Sequence, residues 1–129
     1  MMMNDQLIEA NIVLLGLADE LANDLSEALG RFCEGIQTRR PLADSVQALH
    51  ELQRLDVNLV FCRPVPSLIR RLRGMNPSVS IIAVSRIPET SEWIDSIEAG
   101  ADDYCAAPFE TAQLRWMFES CLSYARAAA

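Results

Sequence analysis

Short unbroken apolar runs alternate with helical patterns along the whole of this chain, and that alternation limits the fold more than any other feature. Ile12-Val13-Leu14-Leu15, following Asn11, carries no polar residue on either face, as a strand covered on both sides requires. Asp19 is placed to cap a helix whose Leu21, Leu25, Ala28 and Leu29 share one face and which stops at Gly30. Gly35 to Arg39 is a weaker strand. Pro41 suits the first turn of a second helix, with Leu42, Val46 and Leu49 on one side. Val57 to Cys62 is the next buried strand, ended by Pro64 and Pro66, and Leu68, Ile69 and Leu72 mark the helix behind it. After the turn Asn76-Pro77-Ser78 come a strand from Val79 to Val84, a helix from Glu89 to Ala99 closed by Gly100, and a short strand Asp103-Tyr104-Cys105 before Pro108. Leu114, Met117, Phe118, Cys121, Leu122 and Ala125 then recur at helical spacing.

Five strands separated by helices predict an α/β, doubly wound parallel sheet with helices on both faces. In such sheets the functional crevice lies beyond the carboxyl ends of the strands. The segments to read are therefore Gly16 to Asp19, Cys62 to Pro66, Ser85 to Ile87 and Cys105 to Phe109.

The 129 residues amount to one domain, expected over 11–126 with short tails at 1–10 and 127–129. Half the residues are apolar, enough for a core. No run reaches the about 18 apolar residues of a membrane span, and the N-terminus lacks a signal-type pattern, so a cytoplasmic location is expected. A net charge of −7 argues against nucleic-acid binding, which needs a positive surface. The run Arg70, Arg71, Arg73 reads as a solvated helix face. Cys33, Cys62, Cys105 and Cys121 form no paired motif, and His50 is not spaced to join them, so no zinc or other metal site is expected and the thiols read as buried and reduced.

The segment Gly100-Ala101-Asp102-Asp103-Tyr104-Cys105-Ala106-Ala107-Pro108-Phe109 resembles the G-A-D-D-Y-x-x-K-P-F segment of response-regulator receiver domains. Ser80-Ile81-Ile82-Ala83-Val84-Ser85 is similar to that family's fourth strand, Asn58-Leu59-Val60-Phe61-Cys62 to its third, and Pro66 to the proline that follows. The resemblance covers about residues 11 to 125. It implies a flavodoxin-like strand order 2-1-3-4-5. It also implies a phosphorylation site built from two acidic Mg²⁺ ligands, a nucleophilic Asp, a Thr or Ser and a Lys. Phosphoryl oxygens and a hard cation need carboxylate ligands and a neutralising positive charge.

This chain keeps one part of the five. The acidic pair falls on Gly16 and Leu17, the nucleophile on Cys62 or Arg63, and the Lys on Ala107; Ser85 remains. Asp19 and Glu20 lie near the first strand's end, but Asp19 is better placed as a cap. Arg63 or Arg86 could stand in for the missing lysine's charge. The site is therefore read as degenerate, with no cofactor.

The aromatic residues suggest where a partner would bind. Trp116 falls on the outer side of the last helix and Met117 at its border, while Ile94 and Ile97 are expected to face inward beside Trp93. The resemblance puts Trp93, Tyr104 and Met117 on the face of the family's fourth helix, fifth strand and fifth helix, which receivers use for dimers and partners. Exposed Trp is enriched among interface anchors. The expectation is a pseudo-receiver of two-component phosphorelay signalling, not an enzyme, which works by protein–protein contact or dimerisation and binds neither nucleic acid nor membrane. Two alternatives stand beside it. One is a redox sensor or enzyme using Cys62, whose thiolate Arg63 or Arg86 could favour. The other is a small-molecule sensor beside Ser67, Ser85 and Arg86. A Cys62–Cys105 disulfide is excluded if a strand separates them, since their Cα atoms would then be roughly 10 Å apart, beyond the about 7 Å limit.

Overall fold

The strand runs of the sequence become a single five-stranded parallel sheet of order β2-β1-β3-β4-β5 in the computed structural model, which describes residues 8–39, 50, 52 and 56–128. The elements are β1 (Ile8–Leu15), α1 (Asp19–Leu29), β2 (Cys33–Arg39), β3 (Leu59–Cys62), α2 (Pro66–Met75), β4 (Ser80–Ser85), α3 (Thr90–Ala99), β5 (Asp103–Ala106) and α4 (Thr111–Ala128). The helix expected after Pro41 lies outside the described residues, except that His50 and Leu52 are helical. β1 begins at Ile8, within the segment expected to be a tail, and α4 runs on to Ala128.

Alternation along the strands divides the core into two layers. Ile12, Leu14, Leu59, Phe61, Ile82, Val84 and Cys105 point to the side covered by α1 and α4. There Phe118 meets Phe32 edge to face, with ring centroids 5.6 Å apart. Val13, Leu15, Val60, Cys62, Ile81 and Ala83 point to the other side, covered by Leu68, Ile69 and Leu72 of α2 and by Ala99 of α3. In-register parallel pairing sets Leu15 beside Cys62, Cys62 beside Ala83, and Ser85 beside Ala106, so the strands end together and form one crevice rim. Gly35 takes φ +93 opposite β1, where an added Cβ would strike the Ala10 carbonyl oxygen.

Three local expectations are corrected. Ala18, not Asp19, is the N-cap of α1, and Asp19 is the first helical residue. Its negative charge in the first turn still suits the helix dipole. Arg73 is not a solvated charge. Its guanidinium donates to the carbonyls of Val79 (2.6 Å), Pro77 (3.0 Å) and Gly100 (2.9 and 3.1 Å), and pairs with Asp102 at 2.8 Å. Asp102 also accepts from the Ile81 amide at 2.8 Å, so one buried-edge network ties α2, β4 and the turn before β5 together.

The third correction concerns α3. Ile94 and Ile97 do not face inward: α3 buries Ser96 and Ala99 instead. The reason is space. α3 packs near the edge of the sheet, where Tyr104 already fills the gap against the second core layer and its hydroxyl donates to Glu92 Oε1 at 2.7 Å. Only small side chains fit beneath the helix there.

Candidate functional site

The crevice rim is assembled from the ends of β1, β3, β4 and β5, and the structure brings the expected positions together there. Gly16 ends β1 with φ +68, a left-handed turn conformation that suits glycine and supplies no side-chain ligand. Leu17 is buried and joins Leu21 in the α1 layer of the core. Cys62, at the end of β3, is 0 % exposed. Burial pushes its thiol up to about 12, and the neighbouring Arg63 charge opposes this only in part. Ala107 follows β5 and is half-buried against the core, its amide donating to the Ser85 carbonyl at 3.0 Å. The Ser85 hydroxyl donates to the Ile87 carbonyl at 2.9 Å, a local turn bond.

Two charged groups at this rim find each other. Arg86, just after β4, pairs with Glu20 at the start of α1 at 3.6 Å, and both side chains are exposed. The pair links the two segments that flank the end of β3 in the sheet order. Sequence reading named both residues but not their contact, because the two lie on elements far apart in the chain.

The chain contains no lysine at all; every basic residue is arginine. No segment could therefore lend a lysine to the place held by Ala107. The Mg²⁺ that the receiver resemblance implies does not fit the residues present. Gly16 and Leu17 offer no oxygen, Cys62 offers a buried neutral sulfur, and Glu20 already faces a guanidinium. Among the described residues, no three His, Cys, Asp or Glu side chains converge where a metal ion could sit. All four cysteines are unbridged and buried, with burial raising Cys33 to about 11 and Cys105 and Cys121 to about 12. Cys62 and Cys105 stand on strands separated by β4. His50 is exposed.

The second group of expected residues lies at the β5 edge. Trp93 is 50 % and Trp116 67 % exposed, while Tyr104 is half-buried. Met117 is not on this surface. It is 4 % exposed, packed in the layer of α1 and α4 with Leu114, Phe118 and Cys121, where the i, i+3, i+4 spacing of the apolar residues puts it. Sequence reading also missed three surface members: Ile87, Ile94 and Ile97 are 70 %, 49 % and 39 % exposed. Among the described residues these five, Ile87, Trp93, Ile94, Ile97 and Trp116, are the large apolar side chains left in solvent. No described helix is long and apolar enough to cross a membrane.

No family model matches the sequence, and no curated protein matches it. Solved structures do match. NtrX from Brucella abortus superposes with a TM-score of 0.77 at 20 % identity, over 94 % of this chain and 28 % of NtrX, so the chain spans under a third of that protein. The signal receiver domain of an HD domain-containing protein from Pseudomonas fluorescens gives 0.77 at 20 % identity, covering 99 % of this chain and 96 % of that one. A CheY-like receiver domain protein from Methanospirillum hungatei gives 0.75 at 15 % identity, covering 96 % and 100 %. The structural neighbours of this chain are response-regulator receiver domains, and its five-stranded flavodoxin-like fold is theirs.

Proposed function

We propose that this chain is a pseudo-receiver: a two-component signalling domain that works by protein contact, without enzymatic activity and without phosphorylation of its own. The observation that carries the reading is the chemistry of the crevice rim. Aspartyl phosphorylation needs a carboxylate at the end of β3, a cation bound at the end of β1 and a positive charge at the end of β5. The rim holds Cys62, Gly16 with Leu17, and Ala107 in those places. A neutral buried thiol cannot replace the carboxylate, and an alanine cannot offset phosphoryl charge. The fold that would transmit a phosphorylation signal is kept, and the trigger is not. Its state would then be set by what binds its surface.

The alternative of a Cys62 redox sensor has less support, since a thiol held near 12 and closed off from solvent is a poor nucleophile. Four unbridged thiols fit a reducing compartment such as the cytoplasm. The test is intact-mass analysis after incubation with acetyl phosphate and Mg²⁺, beside a receiver that retains its aspartate. The expected result is no phosphoryl adduct on this chain. A hydroxylamine-sensitive adduct would overturn the reading.

A further inference from the structure

We propose that the surface of α3 and the β5 edge docks a basic, apolar-faced helix from another protein, and does not pair with a second copy of this chain. The inference rests on the protein-contact reading above and names the occupant.

The first observation is the inverted packing of α3. At 3.6 residues per turn, Trp93, Ile94 and Ile97 stand roughly 140° around the helix axis from the buried Ser96 and Ala99. The helix is amphipathic, yet its apolar stripe faces water. A surface helix normally turns that stripe to the core, and an exposed stripe of Trp and Ile fits a docking face. Ile87 extends the exposed apolar surface into the loop before the helix. Trp116 is exposed as well, on α4, which covers the other face of the sheet.

The second observation is charge. Residues 87–129 hold eight of the eighteen acidic side chains and two of the eleven basic ones, so six of the seven excess negative charges lie in that third of the chain. Glu89 and Glu98 border the Trp93–Ile97 stripe on its two sides, and Asp95 lies beyond Glu98 on the exposed helix surface. Arg115 is already paired with Glu119 at 3.0 Å. A cleft of about 300 Å³ beside Trp116 is lined by Asp102, Asp103 and Ser120. Asp102 is held there by Arg73, so Asp103 and the Trp116 indole are what the cleft presents to a guanidinium or ammonium group.

These charges decide between the possible occupants. A two-fold dimer sets the same patch against itself. With acidic residues around the stripe and almost no basic ones, the charged contacts of such a dimer would repel. A helix with Arg or Lys flanking an apolar stripe would complement both features at once.

The test uses the whole chain. A display library of randomised helical peptides is selected against it, and the chain alone is sedimented from micromolar to millimolar concentration. The recovered peptides should be net basic with apolar residues at i, i+3 and i+4. They should shift the emission of Trp93, read in a Trp116→Phe background so that it is the chain's one tryptophan. Affinity should fall with salt, and by about tenfold or more in the double variant Asp95→Arg/Glu98→Arg. The control Asp24→Arg/Glu27→Arg on α1 should leave it unchanged, which separates docking from general attraction to an acidic protein. Recovery of neutral or acidic peptides, or of none, would overturn the proposal. A dimer that Trp93→Ala dissolves would overturn the choice of partner but leave the contact face standing. Basic binders indifferent to Trp93→Ala would remove both.

Discussion

Helices α1 and α3 have similar length and similar alternation of apolar and acidic residues, but they use them in opposite ways. α1 buries Leu21, Ala22, Leu25, Ala28 and Leu29 and turns Asp24 and Glu27 to solvent. α3 buries Ser96 and Ala99 and turns Trp93, Ile94 and Ile97 to solvent. The difference separates two meanings of an apolar stripe. On α1 it belongs to the core and its worth is read as folding stability. On α3 it contributes little to the core and is left facing solvent. Helical periodicity reports that a stripe exists, but the packing partner decides whether it stabilises the fold or offers a surface.

The sharpest break of this comparison is a matched pair of truncations. Leu25→Ala leaves a cavity between α1 and the sheet and should cost about 3 kcal/mol. Ile94→Ala removes a side chain that is 49 % exposed. Its partial loss of burial is offset in part by alanine's better helix propensity, so the change should stay within about 1 kcal/mol. Urea denaturation of both variants measures the contrast. Equal losses would mean that α3 is packed like α1.

The same contrast explains how much the sequence disclosed. Strands β1, β3 and β4 were legible because a strand covered on both faces must be apolar throughout, and Ile12 to Leu15 and Ile81 to Val84 meet that demand without help from context. The residue types at the strand ends were legible too, since Cys62 and Ala107 carry neither a carboxylate nor an amine whatever the geometry. Orientation was not legible. Ile94 and Ile97 were assigned the wrong exposure, because a rotation about the helix axis changes the buried set without changing the pattern, whereas Met117 follows its own apolar repeat and was put on the surface by the resemblance alone. Arg73 was misread for a different reason. Its aliphatic stem lies against Gly100, where an added Cβ would meet Arg73 Cβ and Cγ at 3.3 Å, and its charge reaches carbonyls that are close only after folding.

The thiols sharpen the comparison of the two core layers through pH. Cys33, Cys105 and Cys121 lie in the layer of α1 and α4, and Cys62 lies in the layer of α2 and α3. Burial raises the first to about 11 and the other three to about 12. Below about pH 9 the thiols are neutral in both the folded and unfolded chain, and their full contribution is present. As pH rises past that point the unfolded chain releases its thiol protons first, so stability is lost until the folded values are reached. The loss should be about 1 kcal/mol per thiol for each pH unit above 9. Urea midpoints at pH 8 and pH 10 measure it. Cys62→Ala should reduce the slope, and an unchanged slope would mean that Cys62 titrates as freely in the fold as out of it.

The smallest expected effect tests the underside of α3. Ser96 is fully buried, and its hydroxyl has no hydrogen-bond partner among the described residues. A buried polar group left unpaired is a net cost, and replacing it with a methyl group of nearly the same shape removes that cost. Ser96→Ala should therefore raise stability, by about 1 kcal/mol once alanine's helix propensity is added. The gain matters for the comparison because no such opportunity exists on α1, whose buried face is already apolar. A helix that keeps a serine underneath and two isoleucines and a tryptophan on top is not arranged for the stability of its own domain. If Ser96→Ala instead destabilises the protein, its hydroxyl has a partner in solution, α3 is better anchored than its contacts imply, and the contrast with α1 narrows.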